Sequence, residues 1–273
     1  MEPEIELFVA VPFGLLRERY LEPLIKNGLN PEIGLDPKTL DHYTADSQRE
    51  IFERLKATGI THTFHFPFVD MDPGSPDRLI REATKKRFEM ALDWVIRFFP
   101  RMVVVHTGYF PLAHGEIREE WLSSAVDTFS WLGEKLSKYS IPWALENVFE
   151  TGPEEILPVV EKLEGLGAGI CLDVGHLTSF SSTPLILWLR ELSAHIVHLH
   201  LHDNRGHRDE HLGLGHGKVE FETLFEILRG RNAPIHTITI EPHLEEMVLT
   251  SLEHLKSLCP YKVRKGKGTK SLM

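Results

Sequence analysis

Val197-His198-Leu199-His200-Leu201-His202 alternates an aliphatic residue with a histidine over six positions. Successive side chains of a strand point to opposite faces. The run therefore reads as one strand with Val197, Leu199 and Leu201 on one face and three histidines on the other. Three imidazoles suit the inner wall of a closed barrel, with the aliphatic residues packed on surrounding helices. The same kind of short apolar run recurs at residues 5–11, 32–35, 62–66, 102–106, 143–147, 169–174 and 236–241, with the histidine run itself at 196–202. Helical periodicity fills intervening stretches such as 76–99, 118–139, 153–166, 221–229 and 244–258, with Pro76 and Pro153 where a first turn tolerates proline. Eight strands alternating with helices predict an α/β chain folded as a single-domain (β/α)8 TIM barrel over residues 1–260, followed by a basic tail at 261–273. A doubly wound open sheet is the alternative, but no G-x-G-x-x-G follows the first run.

The parity that orients the histidine run also orients its neighbours. Phe64 and Phe66 outward leave Thr63 and His65 inside; Val103 and Val105 leave Val104 and His106; Trp143 and Leu145 leave Ala144 and Glu146. Ile170, Leu172 and Val174 leave Cys171 and Asp173, while Ile238 and Ile240 leave Thr237, Thr239 and Glu241. Six consecutive strands thus end, at the carboxyl side where barrel active sites lie, with His65, His106, Glu146, Asp173, His200 and Glu241 pointing inward. One buried histidine is ordinarily a hydrogen-bonded core residue, and one inward acid is ordinarily salt-bridged. Six together crowd three carboxylates, a repulsion that a divalent cation removes. His176, in Asp173-Val-Gly-His, and Asp209 and His211, in Asp-Glu-His, lie in the loops above. Each alone reads equally as a solvated loop residue.

Composition narrows the partners. The 273 residues are 42% hydrophobic, 26% charged and 9% aromatic, an ordinary globular balance. The net charge is −10, and Lys262, Arg264, Lys265, Lys267 and Lys270 crowd the end of the chain, so the body is more acidic still. Such a body repels a phosphate backbone, and nucleic acid is not the expected partner. The tail reads as a solvated or frayed terminus. No run of eighteen apolar residues occurs, and the acidic start carries no basic segment leading into an apolar one. With Cys171 and Cys259 far apart, a cytoplasmic, disulfide-free protein without membrane attachment is expected.

The segments Phe64-His-Phe-Pro, Val105-His-Thr-Gly, Ala144-Leu-Glu-Asn, Cys171-Leu-Asp-Val-Gly-His, His200-Leu-His-Asp-Asn, Asp209-Glu-His-Leu-Gly-Leu-Gly and Ile240-Glu-Pro resemble the xylose isomerase-like barrel superfamily. That superfamily holds sugar and sugar-phosphate isomerases and epimerases together with endonuclease IV. The resemblance implies, in the isomerase branch, one divalent ion on Glu146, Asp173, His200 and Glu241. The endonuclease branch implies a three-zinc site that adds His65, His106, His176, Asp209 and His211, and all nine positions carry suitable residues here. Two departures stand out: His216 replaces the glutamate of a Gly-Glu-Gly, and Phe68 replaces a tyrosine that contacts DNA in the endonuclease branch. A homodimer is implied at family level only.

Two chemistries follow from the resemblance. In isomerisation or epimerisation, Glu146 and Glu241 act as both ligands and proton carriers in an enediolate reaction on a sugar or sugar phosphate, with His176, His106 and Arg205 holding substrate. In the alternative, a zinc cluster hydrolyses a phosphodiester at an abasic site in DNA. Histidine-rich ligation favours zinc or manganese, one to three ions. The loops after the early strands, at 36–43 and 69–77, are acidic or neutral, which favours the sugar chemistry. The glycine-rich stretch 203–218 reads either as a closing loop or as a rigid turn carrying Asp209 and His211.

Overall fold

The computed structural model describes residues 4–231 and 235–267. Lys270 and the rest of the tail beyond 267 lie outside the described residues, as do the first three residues of the acidic start. Eight strands, β1 (Glu4–Pro12), β2 (Asn30–Gly34), β3 (Thr63–His65), β4 (Val103–His106), β5 (Trp143–Glu146), β6 (Ala168–Asp173), β7 (Ile196–Leu201) and β8 (Thr237–Ile240), pair in parallel in chain order. β8 pairs with β1 and β1 with β2, which closes the barrel. The expected (β/α)8 TIM barrel is therefore the observed fold.

Most of the apolar core lies between the strands and the encircling helices. Leu199, Leu201, Ile238 and Ile240 are wholly buried there, as the alternation predicts. Val197 departs from the expected parity. It packs on the small cluster of Met102, Val104, Ala144 and Cys171, because the β6–β7 register shifts between Ile170 and Cys171 and Cys171 then pairs with His198. From His198 onward the alternation is restored, so His198, His200 and His202 all stay inside and fully buried.

Local signals set the element ends. The helix expected at 76–99 is Arg78–Phe98: the Asp77 carboxylate accepts the Leu79 N–H at 2.8 Å, and Phe99 leaves the helix with φ 48°. The 153–166 pattern is broken into a 3-10 turn at Pro153–Glu155, a helix at Leu157–Leu163 and a second 3-10 turn at Glu164–Leu166. Pro158 lacks an N–H and can open a helix but not continue one.

The basic end of the chain behaves differently from a frayed terminus. Lys262–Arg264 forms a ninth strand, β9, parallel to Glu4–Glu6 of β1. Lys262 lies 3.3 Å from Glu4 and Arg264 lies 2.8 Å from Glu6, so acids on β1 absorb these bases at the barrel's amino end, away from the mouth.

The stretch after β7 is a rigid turn rather than a free flap. Asp203 and Leu212 exchange backbone hydrogen bonds at 2.8 and 2.9 Å. The buried Asp203 carboxylate accepts the N–H groups of Asn204, Gly215, Gly217 and Val219 at 2.7–3.0 Å. Gly217 is required here, since a Cβ would fall 2.3 Å from an Asp203 carboxylate oxygen. His216 is exposed on this turn, outside the barrel mouth.

Candidate active site

The strand ends converge. β6 stops at Asp173, whose carboxylate caps the helix Val174–Phe180 by accepting the His176 N–H at 2.7 Å. One residue thus faces the barrel axis and also fixes His176 in the first helical turn. Asn147, one residue past β5, locks the neighbouring strand: its amide donates to the Asp173 carbonyl and accepts the Asp173 N–H, both at 2.9 Å.

His200 sits at the centre. Its Nδ1 lies 3.3 Å from Glu146 Oε1, 3.3 Å from Glu241 Oε1 and 3.9 Å from Asp173 Oδ2. Donors about 2.0–2.1 Å from a tetrahedral ion stand about 3.3–3.4 Å from one another. The two glutamate contacts therefore have the spacing of ligands that share one cation, and Asp173 stands slightly farther off. His200 is fully buried, yet neither ring nitrogen has an aligned hydrogen bond. A buried imidazole ringed by carboxylates with no partner at its Nδ1 fits a divalent ion, and so do the residue types around it.

Two further groups adjoin the first. His65 Nε2 and His106 Nε2 lie 2.9 and 3.4 Å from Glu146 Oε2, the oxygen that faces away from His200. His176 Nε2 and His211 Nε2 lie 3.4 and 2.9 Å from Asp209 Oδ2, and His176 Nδ1 lies 3.3 Å from Glu146 Oε1. All nine sequence-predicted donors are brought together, and Glu146 touches histidines on both sides. His202, which the alternation places inside the barrel without a role, joins the outer group: donor atoms of His176, His202, Asp209 and His211 lie within 4.8 Å of one another. Its Nε2 donates to the Asp173 carboxylate at 3.0 Å, and Asn204 donates to its Nδ1 at 3.2 Å.

Protons balance the charge of this cluster. Burial raises the Glu146 carboxyl's affinity for a proton, but His200 and His106 outweigh burial and hold it well below the usual range. Burial likewise opposes the charge on His200, yet Cys171, Glu146, Glu241 and Glu32 raise it well above an ordinary histidine. At His211, burial is outweighed by Asp209 and Glu241, and the value rises to about 9. Glu241 goes the other way, pushed up by burial and by Glu146 despite His200. Asp173, held by His176 and His202 against burial, falls to about 2.

Residues 30–258 match the family model described as "Xylose isomerase-like TIM barrel". The chain belongs to this family. Among curated relatives of this xylose isomerase-like barrel, the uncharacterized protein MJ1311 of Methanocaldococcus jannaschii is 31% identical over 172 residues, 60% of this chain and 59% of that protein. The chain thus matches less than two thirds of that relative's length. A probable endonuclease 4 of Mesomycoplasma hyopneumoniae is 25% identical over 207 residues, 67% of this chain and 69% of that protein. Among solved structures, the TTHB071 protein from Thermus thermophilus, soaked with ZnCl2, superposes with a TM-score of 0.75 at 27% identity, covering 92% of this chain and 97% of that one. A D-tagatose 3-epimerase-like protein gives a TM-score of 0.74 at 24% identity over 94% and 97% of the two chains, a likeness of fold.

Some residues of this xylose isomerase-like barrel sit differently from the sequence expectation. Arg205, expected to hold substrate, is exposed and bound by Glu210, which accepts from its guanidinium and its backbone N–H, both at 3.0 Å. Phe68 stands at the mouth, 48% exposed, with its ring stacked 4.5 Å from that of His106. Sequence reasoning misses Glu32 of β2 altogether: a lone acid in a short apolar run has no parity partner to mark it, yet it is buried beneath His200. It misses His243 as well, whose ring stacks 4.1 Å from that of His211.

Proposed function

We propose that this chain is a divalent-metal-dependent isomerase or epimerase of a sugar or sugar phosphate, in which Glu146 and Glu241 transfer the proton. The observation that supports the reading is that both carboxylates reach His200 Nδ1. Each approaches it to 3.3 Å, so the carboxylates lie at most twice that distance apart. They come from β5 and the end of β8, strands well separated around the barrel, and so approach a substrate from different sides.

When bound among Glu146, Asp173, His200 and Glu241, a divalent cation would polarise a chelated carbonyl and hydroxyl and acidify the C–H beside them. The chain's own groups do the rest. One carboxylate takes the proton from carbon, and the other returns one to the enediolate. Return to the opposite face of the same carbon gives an epimer, and return to the neighbouring carbon gives the aldose–ketose isomer. In this reading His106 and His176 orient substrate hydroxyls. Arg205 would reach a phosphate only by exchanging its Glu210 partner, which favours an unphosphorylated sugar.

A second reading is supported by one observation: the donors form three adjoining groups, more than a single ion requires. It is a zinc phosphodiesterase acting at abasic sites in DNA. Against it stand the net charge of −10 and the acidic early loops.

The test is to incubate manganese- or zinc-loaded protein in D2O with a panel of ketohexoses and their phosphates and follow C–H exchange by NMR. Exchange into at least one ketose, lost by a factor of about 10²–10⁴ in both Glu146→Gln and Glu241→Gln, is expected. Cleavage of an abasic duplex without any sugar exchange would overturn the proposal in favour of the second reading.

A further inference from the structure

Beneath His200 the barrel interior carries a second polar layer that the proton-transfer reading does not use. Glu32 is 1% exposed. Its Oε2 accepts the hydroxyls of Thr63 at 2.9 Å and Thr239 at 3.0 Å, and it lies 3.3 Å from His198 Nε2. Its Oε1 lies 2.7 Å from His200 Nε2 but out of line for a hydrogen bond, and neither atom has a hydrogen-bond partner elsewhere. His198 is pinned in turn: its Nε2 lies 3.1 Å from Thr239 Oγ1, and its Nδ1 is bonded to Thr237 Oγ1. Groups from the neighbouring strands therefore fix a carboxylate whose one free oxygen faces the underside of the His200 ring.

A buried carboxylate is costly to desolvate, so one held by dedicated donors and left with a free oxygen points to a role for that oxygen. The His200 ring has two edges. Its Nδ1 edge faces Glu146 and Glu241, and its Nε2 edge faces Glu32. An imidazole that gives one nitrogen to a metal keeps a hydrogen on the other, and a carboxylate there fixes both tautomer and ring plane.

We propose that Glu32 is a positioning residue that holds His200 in the Nε2–H tautomer, so that Nδ1 is offered to the ion shared by Glu146, Asp173 and Glu241. This rests on the metal reading above and adds to it a fifth strand position, on β2, that touches no substrate. A glutamine supplies only one of the two acceptor oxygens: its amide nitrogen would either face the ring N–H, which also donates, or force the Thr63 and Thr239 hydroxyls from donors into acceptors.

The experiment combines two readouts. In 15N-histidine-labelled wild-type protein loaded with 113Cd, the His200 ring should show cadmium coupling at Nδ1 and a retained proton at Nε2. Cadmium coupled to Nε2 would mean that Glu32 ligates the ion directly, and the proposal would fall. In Glu32→Gln, competition with a chromophoric chelator should show affinity for zinc reduced about 10–100-fold. The Nε2 proton should also be lost or shifted. An unchanged affinity and an unchanged His200 spectrum in a folded Glu32→Gln protein would overturn the proposal while leaving the metal reading intact. Wild-type protein that takes up no zinc or cadmium would overturn both. The wild-type spectrum decides the question even if the variant does not fold.

Discussion

Asp203 offers a quantitative test of how the outer histidine and aspartate groups are held. Its carboxylate is the hub of the turn that carries Asp209 and His211, accepting four backbone N–H groups. In Asp203→Ala those donors lose their acceptor. Gly215 and Gly217 lie on the exposed side of the turn and can bond water instead. Asn204 and Val219 are buried, and each unsatisfied donor costs about 1–3 kcal/mol, or roughly 4 kcal/mol for the pair at mid-range. For a chain of this size 1 kcal/mol moves the melting temperature by about 2–4 °C, so a fall of about 8–16 °C is expected by calorimetry. If the turn opens locally before the barrel unfolds, the global loss is smaller, and amide exchange across 204–219 accelerates instead. In either case His211 and Asp209 lose their frame, and any ion that they hold should be lost before one at His200. A melting temperature within about 2 °C of wild type, less than 1 kcal/mol accounts for, with unchanged exchange at 204–219, would refute the view that Asp203 holds this turn.

Metal uptake should be pH-linked. His200 and His176 bind protons well above the ordinary histidine range, and His211 does so up to about 9, so these rings carry protons at neutral pH in the metal-free chain. Ligation requires the free base. Zinc binding at neutral pH should therefore release protons, visible as buffer-dependent enthalpy in titration calorimetry, and affinity should rise as pH climbs toward about 9; uptake without proton release would contradict the charge assignment. Glu150 gives a separate prediction. Burial raises its carboxyl to about 7, against the hydrogen bonds from Thr107 and the Val148 N–H. A carboxyl raised in the folded state binds more protons there than in the unfolded chain, so it costs stability as pH rises from about 4.5 to 7. Glu150→Gln should leave the melting temperature unchanged at pH below about 4.5 and raise it above about 7; an equal effect at both ends would exclude this origin.

Much of the site is legible because a strand repeats every two residues. With Leu199 and Leu201 against helices, the opposite face of β7 has to line the barrel, and the same logic carries to Glu146, Asp173 and Glu241. The alternation misleads where the register shifts. Val197 lies at a register shift, and nothing in its own sequence announces that Ile170 and Cys171 straddle a bulge. Loop residues are less readable for a different reason. Arg205 and Glu210 are five residues apart on an irregular turn, so no periodicity indicates that the guanidinium is claimed by its own loop. The end of the chain reads as frayed because pairing with Glu4 and Glu6 is a contact across nearly the whole sequence, invisible to local composition.

Glu32 explains why a mostly local reading can find the residues of the mouth and still miss the layer beneath them. The mouth residues announce themselves because they recur on neighbouring strands in equivalent positions. The layer below is assembled from Glu32, Thr63, His198 and Thr239, whose mutual contacts exist only after closure brings β2, β3, β7 and β8 together. In most barrels that layer is filled by branched aliphatic side chains that serve packing alone. Here threonine and histidine take those places, which gives up some apolar burial and keeps a carboxylate in position.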